Sequence, residues 1–149
     1  MLQEKLQTSI ISVGQLLQYS QLSIPVYQRP YKWTQKHVSQ LIKDVSTFRN
    51  KTAYRFGTIV IHNDGYKFNI VDGQQRIITL LLMVQAILKH HKAVIKNPEL
   101  KNLLHLLERK MFCPDFSNDI SISNISNNYQ LIEREVVKFD EELIIFLLN

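Results

Sequence analysis

The pentapeptide D-G-Q-Q-R, residues 72–76, combines side chains that can bind an anion and a metal ion. Arg76 offers a planar guanidinium that matches phosphate oxygens, and Gly73 lets a phosphate approach the backbone closely. Gln74 and Gln75 can each orient a base, a ribose or an attacking water. Asp72 could hold a divalent cation or accept a proton. These residue types predict a catalytic, phosphate-binding turn with Asp72 as the metal ligand.

A structural interpretation fits the same pentapeptide. Asp72 could cap the N-terminus of the following helix, while Arg76 pairs with it across one turn. That helix is apolar nearly all round from Ile77 to Leu88, so it belongs in the interior and its N-terminal dipole is poorly screened. The context favours an anion pocket, but the residues alone leave both interpretations open.

The stretch "IPVYQRPYKW", residues 24–33, is a second candidate site. Its two prolines stiffen the backbone and hold polar side chains in fixed directions. Aromatic and basic side chains alternate, which suits stacking on bases and pairing with phosphates. The predicted nucleic-acid contacts are Tyr27, Arg29, Tyr31, Lys32 and Trp33. The alternative is an edge segment whose aromatic residues pack on the core.

Several elements must position these two stretches. Ser12 and Gln15 form a capping-box pattern before a short helix that ends near Tyr19. Thr34 is a good N-cap for a helix ending near Asn50. Two strands, about Tyr54–His62 and Tyr66–Val71, flank the turn residues N-D-G and predict a hairpin that delivers Asp72.

The C-terminal half is predicted to be helical. After the buried helix, Pro98 opens another helix that ends near Phe112. Residues 113–128 are predicted to form a polar loop. The last segment has apolar residues three or four apart, typical of an amphipathic helix or a bent pair. Because the chain stops on the apolar run "ELIIFLLN", we expect it to be the N-terminal piece of a larger protein.

Composition narrows the classes of function. Residues 1–75 carry nine Lys/Arg and four Asp/Glu, whereas residues 76–149 carry nine of each, so the N-terminal half holds the whole net charge of +5. This bias favours a polyanionic partner. The single cysteine, Cys113, excludes an internal disulfide and fits a reducing cytoplasm. The sequence has no Walker P-loop, no zinc-ligand spacing and no membrane-spanning run.

Three stretches in order, "IPVYQRPYKWT", "FGTIVI" and "IVDGQQRIITLLLMVQAI", resemble the N-terminal domain of GmrSD-type modification-dependent (type IV) restriction enzymes. Those domains resemble the ParB/sulfiredoxin-like superfamily. The match is dense over residues 24–88 and continues loosely to "NNYQLIEREV". A later Asn-x-x-Gly segment typical of the family is absent.

The resemblance implies an NTP-binding and hydrolysing sensor domain of an anti-phage DNA restriction system. It implies a nucleotide site at residues 72–76, with Gln28 and Arg29 as a second wall. The implied cofactor is GTP, UTP or ATP with Mg²⁺ or Mn²⁺. The implied partners are DNA, modified or not, and an HNH-type nuclease domain that this chain does not contain, with a homo-oligomer also considered.

We therefore predict an α+β fold of the ParB/sulfiredoxin-like type: a small mixed sheet with a β-hairpin, surrounded by helices and followed by a helical extension. Residues 1–95 are predicted to form the nucleotide-binding domain and residues 96–149 the start of the extension. The predicted location is cytoplasmic. Two rival functions remain: a DNA-sensing module without hydrolysis, and a scaffold that docks a separate nuclease domain.

Overall fold

The computed structural model describes residues 7–19, 21–24, 30–111 and 119–149, with side chains in the last range described from residue 122. The elements in these ranges are α1 (Val13–Leu17), β1 (Leu22–Ser23), α2 (Gln35–Thr47), β2 (Val60–Asn63), β3 (Phe68–Asp72), α3 (Gln74–His91), α4 (Pro98–Lys110), α5 (Asp119–Val136) and α6 (Glu141–Leu148). The predicted α+β class is confirmed.

The sheet is small and mixed, with the order β1-β3-β2. The central strand β3 pairs parallel with β1 and antiparallel with β2, so the predicted hairpin is present. Its turn is held by Asp64, whose carboxylate accepts hydrogen bonds from the backbone N–H groups of Tyr66 and Lys67. These bonds lower the pKa of Asp64. Since β3 runs straight into α3, the sheet fixes where α3 begins.

The first predicted strand is shorter than expected. Its pairing begins at Val60 rather than Tyr54, and the register is irregular between Val60 and Ile61. The residues before it extend along Arg76 instead, and the Arg76 side chain donates hydrogen bonds to two of their carbonyl groups. These carbonyl groups are thus satisfied by a side chain and not by a neighbouring strand.

The core centres on α3, as its composition predicts. Eleven of its 18 residues are buried, and α5 packs against it. The predicted capping box at the start of α1 is confirmed, with Ser12 and Gln15 bonded to each other's backbone N–H groups. At the start of α4, Asn97 accepts from the N–H of Leu100. Local chemistry therefore sets where α1 and α4 begin.

The predicted polar loop at residues 113–128 is wrong for residues 119–128, which form the first half of α5. Serine and asparagine are poor helix formers, which is why the sequence favoured a loop. Tertiary hydrogen bonds offset this weakness, because Asn124 donates to the carbonyl of Tyr31 and Asn128 donates to that of Trp33. Cys113 lies outside the described residues.

The last segment is the bent pair, with α5 and α6 separated at residues 137–140. The apolar face of α6 is covered from within the chain, against α1, and its buried residues are Leu143, Ile144, Leu147 and Leu148. One core cluster includes residues on both sides of residue 95. The division at residue 95 and the truncation stay predictions. No helix in the described parts of the chain is long and apolar enough to cross a bilayer.

The junction of α2 and α6 generates a prediction on pH. Asp140 accepts from Arg49 at 2.6 Å and from the N–H of Leu143, and both bonds lower the pKa of Asp140. A carboxyl group with a lowered folded-state pKa stabilises the fold above its unfolded pKa and loses that contribution as the pH falls through the folded value.

We expect Asp140→Asn to lose less stability than the wild type between pH 6 and pH 3, because asparagine keeps the cap but cannot titrate. Urea unfolding at the two pH values measures this. Glu99→Gln, which removes an exposed carboxylate at the start of α4, serves as the control and should behave as the wild type. An equal loss in wild type and Asp140→Asn contradicts the prediction.

Candidate functional site

The turn between β3 and α3 places the predicted pentapeptide at one end of the buried helix. Gly73 is the N-cap residue, with φ +90°, in the left-handed region. A Cβ at this position would also lie 2.9 Å from Cγ1 of Ile59. Gly73 is therefore required by backbone conformation and by its neighbour, and no phosphate is needed to explain it.

Asp72 does not cap α3, and Arg76 does not pair with it. The carboxylate of Asp72 is exposed, and it makes no hydrogen bond or ion pair with any described residue. The helix starts without a side-chain cap and without an acidic residue in its first turn. The structural interpretation of the pentapeptide is thus wrong in both of its contacts.

Gln75 binds the backbone of the segment that precedes α2. Its Oε1 accepts from the N–H groups of Lys32 at 2.7 Å and Trp33 at 3.1 Å, and its Nε2 donates to the carbonyl of Pro30 at 3.2 Å. One amide therefore satisfies three backbone groups in a segment without regular structure. This fixes residues 30–33 against the first turn of α3.

Arg76 likewise binds the backbone of a segment without regular structure, residues 56–58, which precedes β2. Its Nη1 and Nη2 donate to the carbonyls of Phe56 at 2.8 Å and Thr58 at 2.9 Å. The guanidinium lies so close to Gly57 that a Cβ there would be 1.7 Å from Nη1. Carbonyl groups are neutral, and Arg76 has no carboxylate partner among the described residues. Its positive charge is therefore held in place but not compensated.

Gln74 points into the interior instead. It is 7% exposed, and its Nε2 donates to the carbonyl of Ile70 in β3 at 2.7 Å. This bond ties the first residue of α3 back to the strand that precedes it. In this conformation Gln74 stabilises the strand-to-helix turn.

A buried chain of hydrogen bonds, which sequence reasoning missed, lies behind the turn. Asn128 Nδ2 donates to the hydroxyl of Tyr31 at 2.9 Å, and that hydroxyl lies 2.8 Å from Thr79 Oγ1. Thr79 in turn donates to the carbonyl of Gln75, so its one proton is used and Tyr31 donates to it. The chain joins α5 to the first turn of α3 through Tyr31.

The three side chains of this hydrogen-bond chain, Tyr31, Thr79 and Asn128, are all buried. Tyr31 is 1% exposed, and desolvation raises the pKa of its hydroxyl, which keeps the proton on the donor. Asn128 Oδ1 is buried with no hydrogen-bond partner among the described residues, a cost that the two bonds donated by Asn128 Nδ2 offset. Two features of the sequence could have indicated this hydrogen-bond chain. Thr79 is a polar residue inside an apolar helix, and Asn128 belongs to the polar stretch "NNY".

The predicted nucleic-acid contacts are not all on one surface. Tyr31 is buried and cannot stack on a base in this conformation, whereas Lys32 is exposed. Trp33 is half-buried, and its ring stacks on His37 with centroids 5.5 Å apart. Tyr27, Gln28 and Arg29 lie outside the described residues, so their predicted roles stay predictions.

A pocket of about 380 Å³ lies elsewhere, between α3 and α5. Its lining is mostly apolar: Leu82, Gln85, Ile122, Ile125, Ser126 and Tyr129. Leu82 is nine residues beyond Gly73, about 14 Å along the helix axis. This pocket is therefore separate from the Asp72 turn, and it lacks the charged groups that a nucleotide requires.

The comparison with known families matches most of the chain. The family model described as "GmrSD restriction endonuclease, N-terminal domain" matches residues 13–147. The chain belongs to this family, and so to a DNA restriction system. No curated protein matches the sequence.

The Gly73 turn gives a prediction on stability. Gly73→Ala forces a Cβ into a left-handed backbone conformation and against Ile59. The conformation alone usually costs about 1–3 kcal/mol, and we expect the Ile59 contact to add to this loss in the free energy of unfolding. Gly65→Ala is the control, since Gly65 has φ +92° and no atom within 4 Å of an added Cβ. Chemical denaturation should rank Gly73→Ala as the less stable variant; equal losses exclude the Ile59 contact as a constraint.

The buried hydrogen-bond chain gives a second prediction. Tyr31→Phe removes the hydroxyl that links Asn128 to Thr79, and we expect a loss of about 1–3 kcal/mol in the free energy of unfolding. Tyr66→Phe removes the same hydroxyl from a residue that is 85% exposed, and it should change stability by less than about 0.5 kcal/mol. The prediction fails if the two variants unfold at the same denaturant concentration.

Proposed function

We propose that this chain is the NTP-binding and hydrolysing sensor domain of its restriction system and acts in the cytoplasm. The nucleotide, GTP, UTP or ATP, binds at the turn between β3 and α3. DNA cleavage belongs to an HNH-type nuclease domain outside this chain. The proposal rests on family membership together with the electrostatics of the turn.

The observation that carries the proposal is the charge at the start of α3. The positive end of the helix dipole and a cation coincide there, because the first turn contains Arg76, no acidic residue and no side-chain cap. A cation at a helix N-terminus is unfavourable by about 0.3–1 kcal/mol. A bound phosphate removes this repulsion and accepts hydrogen bonds from the free N–H groups of the first turn.

A divalent cation fits the residues at this turn. Asp72 supplies one exposed carboxylate, and the described residues contain no group of three or more metal-ligating side chains. Mg²⁺ suits such a site, because it keeps several waters and is often bound by one or two carboxylates and substrate phosphates. When bound with nucleotide, Mg²⁺ or Mn²⁺ would neutralise phosphate charge.

The remaining residues have distinct roles in this proposal. Asp72 holds the metal ion or orients the attacking water, and the Arg76 charge favours the phosphates. Gln75 and Arg76 also position residues 30–33 and 56–58 as the walls of the site. Gly73 gives the turn its shape, and Gln74 anchors it to β3. Gln28 and Arg29, which lie outside the described residues, are proposed to complete the nucleotide site.

Nucleotide binding and hydrolysis test the proposal. With Mg²⁺ or Mn²⁺ present, we expect the wild type to bind at least one NTP in calorimetry and to release phosphate. Asp72→Asn should lower phosphate release by about 10²-fold or more, because a metal ligand or water-orienting group is removed. Glu99→Gln is the matched control: it also neutralises an exposed carboxylate near a helix start and should keep full activity.

Two outcomes would overturn the proposal. If no NTP binds to the chain with its nuclease partner and DNA present, the turn is not a nucleotide site. If nucleotide binds but phosphate is not released under those conditions, the domain is a sensor without hydrolysis. Equal activities of Asp72→Asn and Glu99→Gln would instead remove Asp72 from the catalytic site.

A further inference from the structure

The outward face of α2 carries a row of basic residues. With 100° between successive residues, the buried positions Val38, Leu41, Ile42 and Val45 define one side of the helix. Lys36 and Lys43 project within about 30° of the opposite direction and are exposed. They are seven residues apart, about 10 Å along the axis. Lys32, three residues before the helix begins, is also exposed.

Lys32, Lys36 and Lys43 form no ion pair with any residue that the structure describes. Residues 30–51 contain five Lys/Arg and one acidic residue, Asp44. Asp44 accepts hydrogen bonds from Gln40 and Tyr54, and Arg49 is the only basic residue of the segment in a described ion pair. In the C-terminal half of the chain, Lys89, Lys92 and Lys138 each pair with a glutamate, whereas Lys96, Lys101 and Lys110 are in no described ion pair. The outward face of α2 is distinguished by the absence of an acidic residue beside its two lysines, because Asp44 projects about 70° away from the outward direction.

We propose that the outward face of α2, together with Lys32, binds the phosphate backbone of double-stranded DNA. Exposed lysines neutralise phosphates and release their counterions, and the remaining outward residues, Gln40 and Thr47, are uncharged and polar. The duplex is favoured over a protein partner because the face exposes no large apolar side chain opposite its buried side. The contacts are to phosphate, so this face binds without base selectivity.

The surface is separate from the nucleotide turn but adjoins it. Lys32 contributes its side chain to the proposed DNA surface, while its backbone N–H is bound by Gln75 at 2.7 Å. The proposal extends membership of a DNA restriction system to a particular surface, and it holds whether or not the turn hydrolyses a nucleotide.

Fluorescence anisotropy with a labelled duplex of about 30 base pairs, over about 50–200 mM salt, tests the surface. The variant Lys32→Gln/Lys36→Gln/Lys43→Gln should bind more weakly. Its slope of log K against log salt should be smaller by up to about 2.7, or about 0.9 for each phosphate that is no longer neutralised. Lys36→Gln alone should lower the slope by about 0.9. Two unrelated duplex sequences should lose affinity equally.

The matched control is Lys96→Gln/Lys101→Gln/Lys110→Gln. It removes the same charge from exposed lysines without described ion pairs, on the neutral half of the chain. It should keep the wild-type affinity and slope. Equal losses in the two triple variants would show that net charge alone drives binding, and no duplex binding by the wild type would also overturn the proposal.

Nucleotide binding separates this proposal from the preceding one, and it is measured on the double variant Lys36→Gln/Lys43→Gln, which leaves Lys32 in the wall of the nucleotide site unchanged. This double variant should bind NTP as the wild type does, because both lysines lie on α2, outside residues 30–33 and 56–58, and it should lower the slope of the duplex-binding plot by about 1.8. Loss of DNA binding with nucleotide binding retained supports the surface. Asp72→Asn, conversely, should retain duplex binding.

Discussion

The structure depends on how the first turn of α3 holds two stretches of irregular backbone. Gln75 binds residues 30–33 through three hydrogen bonds, and Arg76 binds the carbonyls of Phe56 and Thr58 through two. Neither stretch has strand or helix partners for these groups, so without the two side chains their polar atoms would lack protein partners. Because α3 is buried in the core, its first turn holds residues 30–33 and 56–58 in fixed positions.

In this arrangement, structural roles of the turn residues are compatible with an anion site. The four residues from Gly73 to Arg76 do have structural roles, but not those that local spacing suggests, and Asp72 neither caps the helix nor pairs with Arg76. The capping position falls to a glycine, which has no side chain to bind the free N–H groups. Arg76 donates its hydrogen bonds to neutral carbonyls, so its charge persists. These structural contacts therefore leave unchanged the two features that favour an anion: the charge of Arg76 and the free N–H groups at the start of α3.

The sequence predicted what local chemistry controls. The capping box at Ser12, the hairpin around Asp64 and the buried character of α3 all follow from short patterns, and each is confirmed. Contacts between distant residues were not accessible: Gln75 and Lys32 are 43 residues apart, and Asn128 and Tyr31 are 97 apart. Tyr31 belongs to a run for which an exposed stacking surface and packing on the core were both open, and Tyr31 packs in the core, where Asn128 and Thr79 bind its hydroxyl. The start of α5 is likewise helical because two of its asparagines bind the 30–33 backbone. Periodicity cannot reveal a polar side chain whose partner is a remote backbone group.

Lys32 belongs both to the wall of the proposed nucleotide site and to the proposed DNA surface. Its N–H is bound by Gln75 beside the turn, and its exposed side chain is part of the proposed DNA surface, three residues before α2 begins. If Gln75 turned toward a bound nucleotide, residues 30–33 would lose three hydrogen bonds and would still be held by Asn124 and Asn128, and this loss would change the position of Lys32 relative to Lys36. Net hydrogen-bond energies of about 0.5–1.5 kcal/mol each bound such coupling at a few kcal/mol, the range typical of linked sites. By reciprocity, DNA that holds Lys32 in place would change the affinity for nucleotide by the same factor.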